Sequence, residues 1–84
     1  MPELKVTCEW DDEVSLWYVA DSNVPGLSGE APDMVSMNTL LSERIPELLR
    51  LNMPHLITEA PTEEPLHIPY ELYTRQRQDV ILTH

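Results

Sequence analysis

The sequence predicts an α+β fold in which three strands precede one helix and a fourth strand follows it. Apolar and polar residues alternate in one stretch near the N-terminus, and β-branched and aromatic residues fill the next. A longer run then places apolar residues three and four positions apart, which is the spacing of one helix face. A second alternating stretch follows a proline-rich interval. The predicted element order is therefore β-β-β-α-β.

The first two strands are predicted to pair as a hairpin. Alternation runs from position 4 to position 10, and Val14–Ala20 forms the second strand after an acidic break. A loop of two or four residues would place Cys8 opposite Trp17 and Val6 opposite Val19. One continuous apolar face then forms across the hairpin, and we expect the helix to pack on it.

The other face of this hairpin carries Leu16 and Tyr18 beside polar residues of the first strand. It is more apolar than a face left in water should be. Exposed apolar patches of this kind tend to be interfaces, and a two-fold arrangement is the commonest closed assembly. The sequence therefore predicts a homodimer.

The segment Val24-Pro25-Gly26-Leu27 is predicted to form a type II turn. Pro25 fixes φ at the first central position, and Gly26 accepts the positive φ that the second position needs. The turn ends the second strand. Residues 27–31 are then long enough for a short third strand, which Pro32 stops.

The predicted helix begins after Asp33, whose carboxylate is a suitable N-cap. Pro46 removes one helix hydrogen bond, so the pattern predicts a kink or a restart there, with a second helical piece ending near Asn52. The residues that recur at helical spacing and form the apolar stripe are Met34, Met37, Leu41, Ile45 and Leu48.

Residues 53–65 are predicted to form an acidic, proline-rich surface loop. From Leu66 to Tyr73 apolar and other residues alternate again, and Pro69 confines this fourth strand to a sheet edge or a bulge. A right-handed crossover then gives a mixed four-stranded sheet in the order 3-2-1-4, with the fourth strand parallel to the first. One helix covers one face, and residues 1–84 form a single domain.

The chain has 15 acidic and five basic residues, a net charge of −10 and a pI near 4.4. This balance repels phosphate backbones and attracts basic protein surfaces, so direct nucleic-acid binding is not expected. The single cysteine, Cys8, cannot close a disulfide within the chain. No run approaches the length of a membrane span. We expect a cytoplasmic protein.

Candidate chemical groups are few. Asp11, Asp12 and Glu13 are consecutive in one turn, whereas a nuclease magnesium site needs carboxylates that converge from separate strands. The histidines have no ligand spacing, and Cys8 alternates with apolar neighbours as a core residue does. The sequence therefore predicts neither an enzyme nor a cofactor or metal site.

An ordered set of short motifs carries a family resemblance. Trp10-Asp11, Trp17, Val24-Pro25-Gly26-Leu27, Glu30-Ala31 and Pro46-Glu47-Leu48-Leu49 are similar to a pattern in small uncharacterised bacterial proteins allied to the HicB antitoxins. The residues of this pattern that define the motif here are Trp10, Trp17, Pro25, Gly26, Leu27, Glu30 and Pro46. The resemblance implies a HicB-like domain with a partial ribonuclease H-like sheet.

The better-known relatives implied by this resemblance bind and block a small basic toxin that cuts messenger RNA. They usually end in a DNA-binding segment, whereas the residues after Asn52 here are acidic, proline-rich and then strand-like. The resemblance favours an antitoxin-like protein-binding module. Two alternatives are a stand-alone structural homodimer and a nuclease or hydrolase on a ribonuclease H-like sheet. The predicted partner surface comprises Leu16, Tyr18, Glu30, Glu59, Glu63 and Glu64.

Overall fold

A computed structural model describes residues 3–55 and 67–83. Its elements are β1 (Leu4–Asp11), β2 (Leu16–Ser22), β3 (Glu30–Ala31), α1 (Met34–Asn52) and β4 (Tyr70–Arg75). The sheet has the order β3-β2-β1-β4, with β4 parallel to β1 and the other pairs antiparallel. The predicted α+β class, element order and sheet order are confirmed.

The predicted hairpin register is wrong by two residues. Cys8 lies opposite Val19 and Trp10 opposite Trp17, and a β-bulge after Thr7 then changes the pairing. The four loop residues 12–15 include Val14, which was predicted to start β2. Ser15 takes a positive φ of 55°, and this lets the loop close directly before β2. An offset of two preserves side-chain parity, so the predicted apolar face still forms.

The turn at residues 24–27 is confirmed. The Leu27 N–H donates to the Val24 carbonyl at 3.2 Å, and Gly26 has φ +78°. The third strand is shorter than predicted, because it comprises only Glu30–Ala31. Directly before β3, the Gly29 carbonyl still accepts from the Val19 N–H of β2 at 3.1 Å. The Ser28 carbonyl accepts instead from the Arg44 guanidinium of the helix at 2.8 Å.

Helix α1 begins as predicted, since the Asp33 carboxylate accepts from the Ser36 N–H at 2.7 Å. The predicted restart at Pro46 is wrong, because one helix runs through this residue and ends at Asn52. The kink, which was the other alternative, stays a prediction. Pro46 and Ser42 both lie on the exposed side, where water can hydrate the Ser42 carbonyl that loses its donor. The helix residues that are buried recur every four positions: Met37, Leu41, Ile45 and Leu49.

The core lies between α1 and the face of the sheet that carries Leu4, Val6 and Cys8. These three residues are at most 2% exposed. Strand β4 begins immediately after Pro69 and later than the predicted position 66, because proline has no N–H for the ladder. Its place at a sheet edge is confirmed. Within the described ranges, no helix combines the length and apolarity that a membrane crossing needs.

Candidate functional site

The face of the sheet that points away from α1 is termed the open sheet face. Side chains alternate along each strand, so this face collects the residues between the core positions. Tyr18 and Tyr73 on it are 36% and 47% exposed. Its members are Lys5, Thr7, Glu9, Asp11, Leu16, Tyr18, Asp21, Glu30, Glu71, Tyr73 and Arg75.

One row of the open sheet face crosses all four strands. Glu30 lies opposite Tyr18, Tyr18 opposite Glu9, and Glu9 beside Arg75. Directly paired side chains in a sheet lie within contact distance of each other. The register therefore places a phenol ring between two carboxylates, with a guanidinium at the end of the row.

A shallow groove of about 230 Å³ lies beside this row, between Tyr73 and the end of β2. Its rim is fixed by Asn23, whose Oδ1 accepts from the Lys5 N–H at 2.8 Å and whose Nδ2 donates to the Glu3 carbonyl at 2.5 Å. The Tyr73 hydroxyl donates to the Glu71 carboxylate. This hydrogen bond and the carboxylate charge raise the pKa of Tyr73, so its phenol is neutral around neutral pH.

The open sheet face has an acidic balance, because five of its side chains are carboxylates and two are cations. The Lys5 ammonium lies 3.9 Å from the exposed Glu3 carboxylate, a contact that water screens. Phenol rings beside carboxylates suit arginine and lysine side chains, which stack on the ring and pair with the charge. The arrangement therefore favours a basic protein surface over a phosphate backbone.

The carboxylates at the end of β1 and in the turn after it accept hydrogen bonds from nearby groups of the same segment. The Asp11 carboxylate accepts from the Glu13 N–H at 3.0 Å, and the Asp12 carboxylate accepts from the Trp10 indole N–H at 2.6 Å. In the described part of the chain, no three His, Cys, Asp or Glu side chains form a group that could hold a metal ion. Cys8 is fully buried, and burial raises the pKa of its thiol.

The structure brings three of the predicted partner residues onto the same face. Tyr18 and Glu30 are a cross-strand pair, and Leu16 lies two residues from Tyr18 on β2. The other three, Glu59, Glu63 and Glu64, lie outside the described residues. Residues that the sequence did not single out complete this face: Glu9, Tyr73 and Arg75. The sequence predicted that β4 pairs parallel with β1, but it did not specify the register, which sets Glu9 beside Arg75.

The residues of the family motif lie where the hairpin, the turn and the helix pack together. The rings of Trp10 and Trp17 meet edge to face with centroids 5.5 Å apart. Gly26 forms the turn before β3, and a Cβ on it would lie 3.5 Å from the Leu48 side chain. Pro46 lies within α1 two residues before Leu48. The motif thus spans the hairpin, the turn and the helix that together enclose the core.

Residues 3–81 match the family described as domain of unknown function DUF1902. The chain belongs to this family. The DUF1902 match covers every described strand and the helix. It names no activity, and it supports a resemblance to an uncharacterised family without naming an antitoxin.

The DUF1902 domain is similar to a solved structure, the hypothetical protein TTHA1013 from the extremely thermophilic bacterium Thermus thermophilus. The two are 28% identical, with a TM-score of 0.62, and the match covers 96% of this chain and 100% of the other. Among curated proteins, none matches the sequence.

Proposed function

We propose that this DUF1902 domain is a protein-binding module that receives a basic protein on its open sheet face. The observation that carries the proposal is the row in which Glu9 and Glu30 flank the exposed ring of Tyr18. An arginine or lysine of a partner can stack on this ring while its charge lies between the carboxylates. A binding module of this kind needs no catalytic group.

The charge of the whole chain supports the same partner class. A net charge of −10 on 84 residues creates a field that steers a basic protein toward the domain and speeds association at low salt. The same field disfavours nucleic acid, because it repels the negatively charged phosphates. We therefore expect no measurable binding to bare RNA.

The finer proposal is an antitoxin-like role, in which the domain neutralises a small basic RNA-cleaving toxin by covering it. This role is supported by the resemblance of the ordered motifs to HicB-like proteins and by the acidity of the surface. Neutralisation by direct contact requires only an interface of sufficient size. The acidic loop residues Glu59, Glu63 and Glu64 are proposed as secondary contacts, since a loop can cover a partner without changing the core.

The decisive experiment compares two variants with the same change in charge. The binding partner used is the small basic protein that co-purifies with the tagged domain in equal amount from its native host. Replacing Glu9 and Glu30 by Gln should slow association several-fold at low salt, and the effect should shrink as salt screens it. The control replaces the exposed helix residues Glu43 and Glu47 by Gln, on the other side of the sheet.

Three outcomes separate the alternatives. A larger loss for the Glu9 and Glu30 variant than for its control supports the open sheet face. Equal losses would show that net charge alone steers binding and that this face is not the site. An unchanged rate in both, together with slower association after Glu59, Glu63 and Glu64 are replaced by Gln, would assign the contact to the loop.

A further inference from the structure

The segment that follows β4, residues 76–83, is termed the C-terminal arm. All of its residues are exposed, and three consecutive apolar side chains, Val80, Ile81 and Leu82, are 94%, 90% and 82% exposed. The strongly exposed aliphatic residues of the described helix, Val35 and Leu51, are isolated from one another. A contiguous apolar run that is left in water marks a binding segment.

The arm has the composition of a strand that continues β4. Residues 70–83 contain no proline and no glycine, although the chain has eight prolines. Val80 and Ile81 are β-branched, and apolar residues at three successive positions place apolar side chains on both faces of an extended chain. β4 is an edge strand, so its outer side offers backbone donors and acceptors for a further strand.

We propose that residues 71–83 pair antiparallel with the same residues of a second copy of the chain. Among the registers that keep Val80 and Leu82 on the face of Leu72, one sets Leu72 opposite Leu82 and Tyr73 opposite Ile81. Leu72 belongs to the residues that pack against the core, so the second copy's leucine extends that core sideways.

Charge complementarity favours the same register. It sets Arg75 opposite Asp79 twice, once on each side of the two-fold axis. Arg75 and Arg77 are two of the five basic residues of an acidic chain, and both belong to this segment. Arg77 meets its own counterpart at the axis, which is the one unfavourable pair of the arrangement.

The second copy is favoured over the arm's own sheet as the binding surface. To fold back, the chain would have to reverse within residues 76–79, where there is no glycine or proline and Asp79, the last of the four, is the single residue that favours a turn. In the paired state both helices lie on one side of an eight-stranded sheet, and the two open sheet faces join on the other. The assembly therefore goes beyond the proposed function and does not depend on it.

Cysteine cross-linking tests the register directly. In the full chain with Tyr73→Cys and Ile81→Cys, opposite Cα atoms of an antiparallel pair lie within disulfide range. The same two residues within one chain are separated by eight positions of extended backbone, about 26 Å, and cannot join. The expected result is a dimer band that disappears on reduction. The matched control, Tyr73→Cys with Val80→Cys, places the thiols on opposite faces and should give no such band.

Light scattering on the full chain tests the assembly itself. The wild type should have a dimer mass, and Val80→Asp with Leu82→Asp should give a monomer. Val35→Asp with Leu51→Asp adds the same charge on the helix and should leave the dimer intact. Arg75→Asp alone should weaken the dimer, and adding Asp79→Arg should restore it. Arg77→Gln should tighten it several-fold, because the repulsion at the axis is removed.

Three results would overturn the proposal. One is a monomer mass for the wild type at micromolar concentration. Another is a dimer mass that survives Val80→Asp with Leu82→Asp. The third is a dimer that Leu16→Lys with Tyr18→Lys dissociates while the arm variant leaves it whole, which would assign the interface to the open sheet faces instead.

Discussion

Replacing Gly26 by alanine isolates the conformational requirement of the turn before β3. Gly26 has φ +78°, and the Leu27 N–H to Val24 carbonyl bond of 3.2 Å holds it there. An alanine Cβ would lie 3.5 Å from Leu48 Cδ2, which is an ordinary van der Waals distance. The substitution therefore adds backbone strain without a steric clash.

The magnitude follows from two opposing terms. A side chain in the left-handed region costs about 1–2 kcal/mol, and the lower freedom of the unfolded alanine chain returns about 0.4–1 kcal/mol. The free energy of unfolding should fall by about 1 kcal/mol. For a domain of this size that loss lowers the melting temperature by roughly 4–8 °C.

Thermal and urea unfolding followed by circular dichroism measure this change. Gly26→Asn is the matched control, because asparagine tolerates a positive φ and should retain most of the stability. Gly29→Ala tests a different cause, since its Cβ would lie 2.8 Å from Leu40 Cδ2 and force that side chain to move. A melting temperature for Gly26→Ala equal to or above that of the wild type would refute the strain argument.

Three further predictions concern titratable groups. Hydrogen bonds from the start of α1 lower the pKa of Asp33, so its stabilising effect is present above its ordinary pKa of 3.8 and is lost as the pH falls through the lower folded-state value. Asp33→Ala should thus lower the urea midpoint at pH 7, and the gap to the wild type should narrow in acid; a constant gap would contradict this. Because Glu71 raises the pKa of Tyr73 above 10.0, Glu71→Gln should shift the ultraviolet titration of that phenol to lower pH, and an unchanged curve would count against the bond. The stabilisation linked to this phenol is present below pH 10.0 and lost as the pH rises through the raised value. Burial raises the pKa of Cys8, so a thiol reagent should label it only after unfolding, and fast labelling of the native protein would show access to the core.

Local patterns were sufficient for most of the fold. Alternation identified β1, and helical spacing with the Asp33 cap identified the start of α1. The Pro25-Gly26 pair predicted the turn, because only glycine takes its backbone conformation without strain. The handedness of the crossover then determined the sheet order. Each of these inferences depends on a few neighbouring residues or on a general rule of topology.

The errors came from interactions between distant segments. Loop length decides the parity of a hairpin but not its offset, so Cys8 was predicted opposite Trp17 and lies opposite Val19. The third strand is shorter than predicted because the Ser28 carbonyl accepts from Arg44 of the helix, and before Glu30 only the Gly29 carbonyl still bonds to β2. At Pro46 the local cost of a missing hydrogen bond was outweighed by the continuous burial of Ile45 and Leu49 on either side of it.

The candidate site was predicted in part for the same reason. Parity placed Tyr18 and Leu16 on one face, since parity survives an error of two in register. Glu30 joined them through the pairing of β3 with β2, whose alignment no local pattern specifies. The parallel pairing of β4 with β1 was predicted, but the register that sets Tyr73 beside Thr7 and Arg75 beside Glu9 joins segments far apart in the chain, and no local pattern specifies it. Side chains contributed by distant strands are the part of a site that a single sequence conceals.

The motifs that carry the family resemblance describe the scaffold more than the activity. Val24 is 3% exposed, the turn at Gly26 lies against Leu48, and Gly29 allows Leu40 to approach. The motifs Val24-Pro25-Gly26-Leu27 and Pro46-Glu47-Leu48-Leu49 thus pack against each other. A Gly26 variant should lower stability and leave the rate of partner association unchanged while it remains folded. The Glu9 and Glu30 variant should do the reverse, because its carboxylates lie outside the core. Measuring stability and the rate of partner association on both variants therefore separates the residues that maintain the DUF1902 fold from the residues that bind a partner.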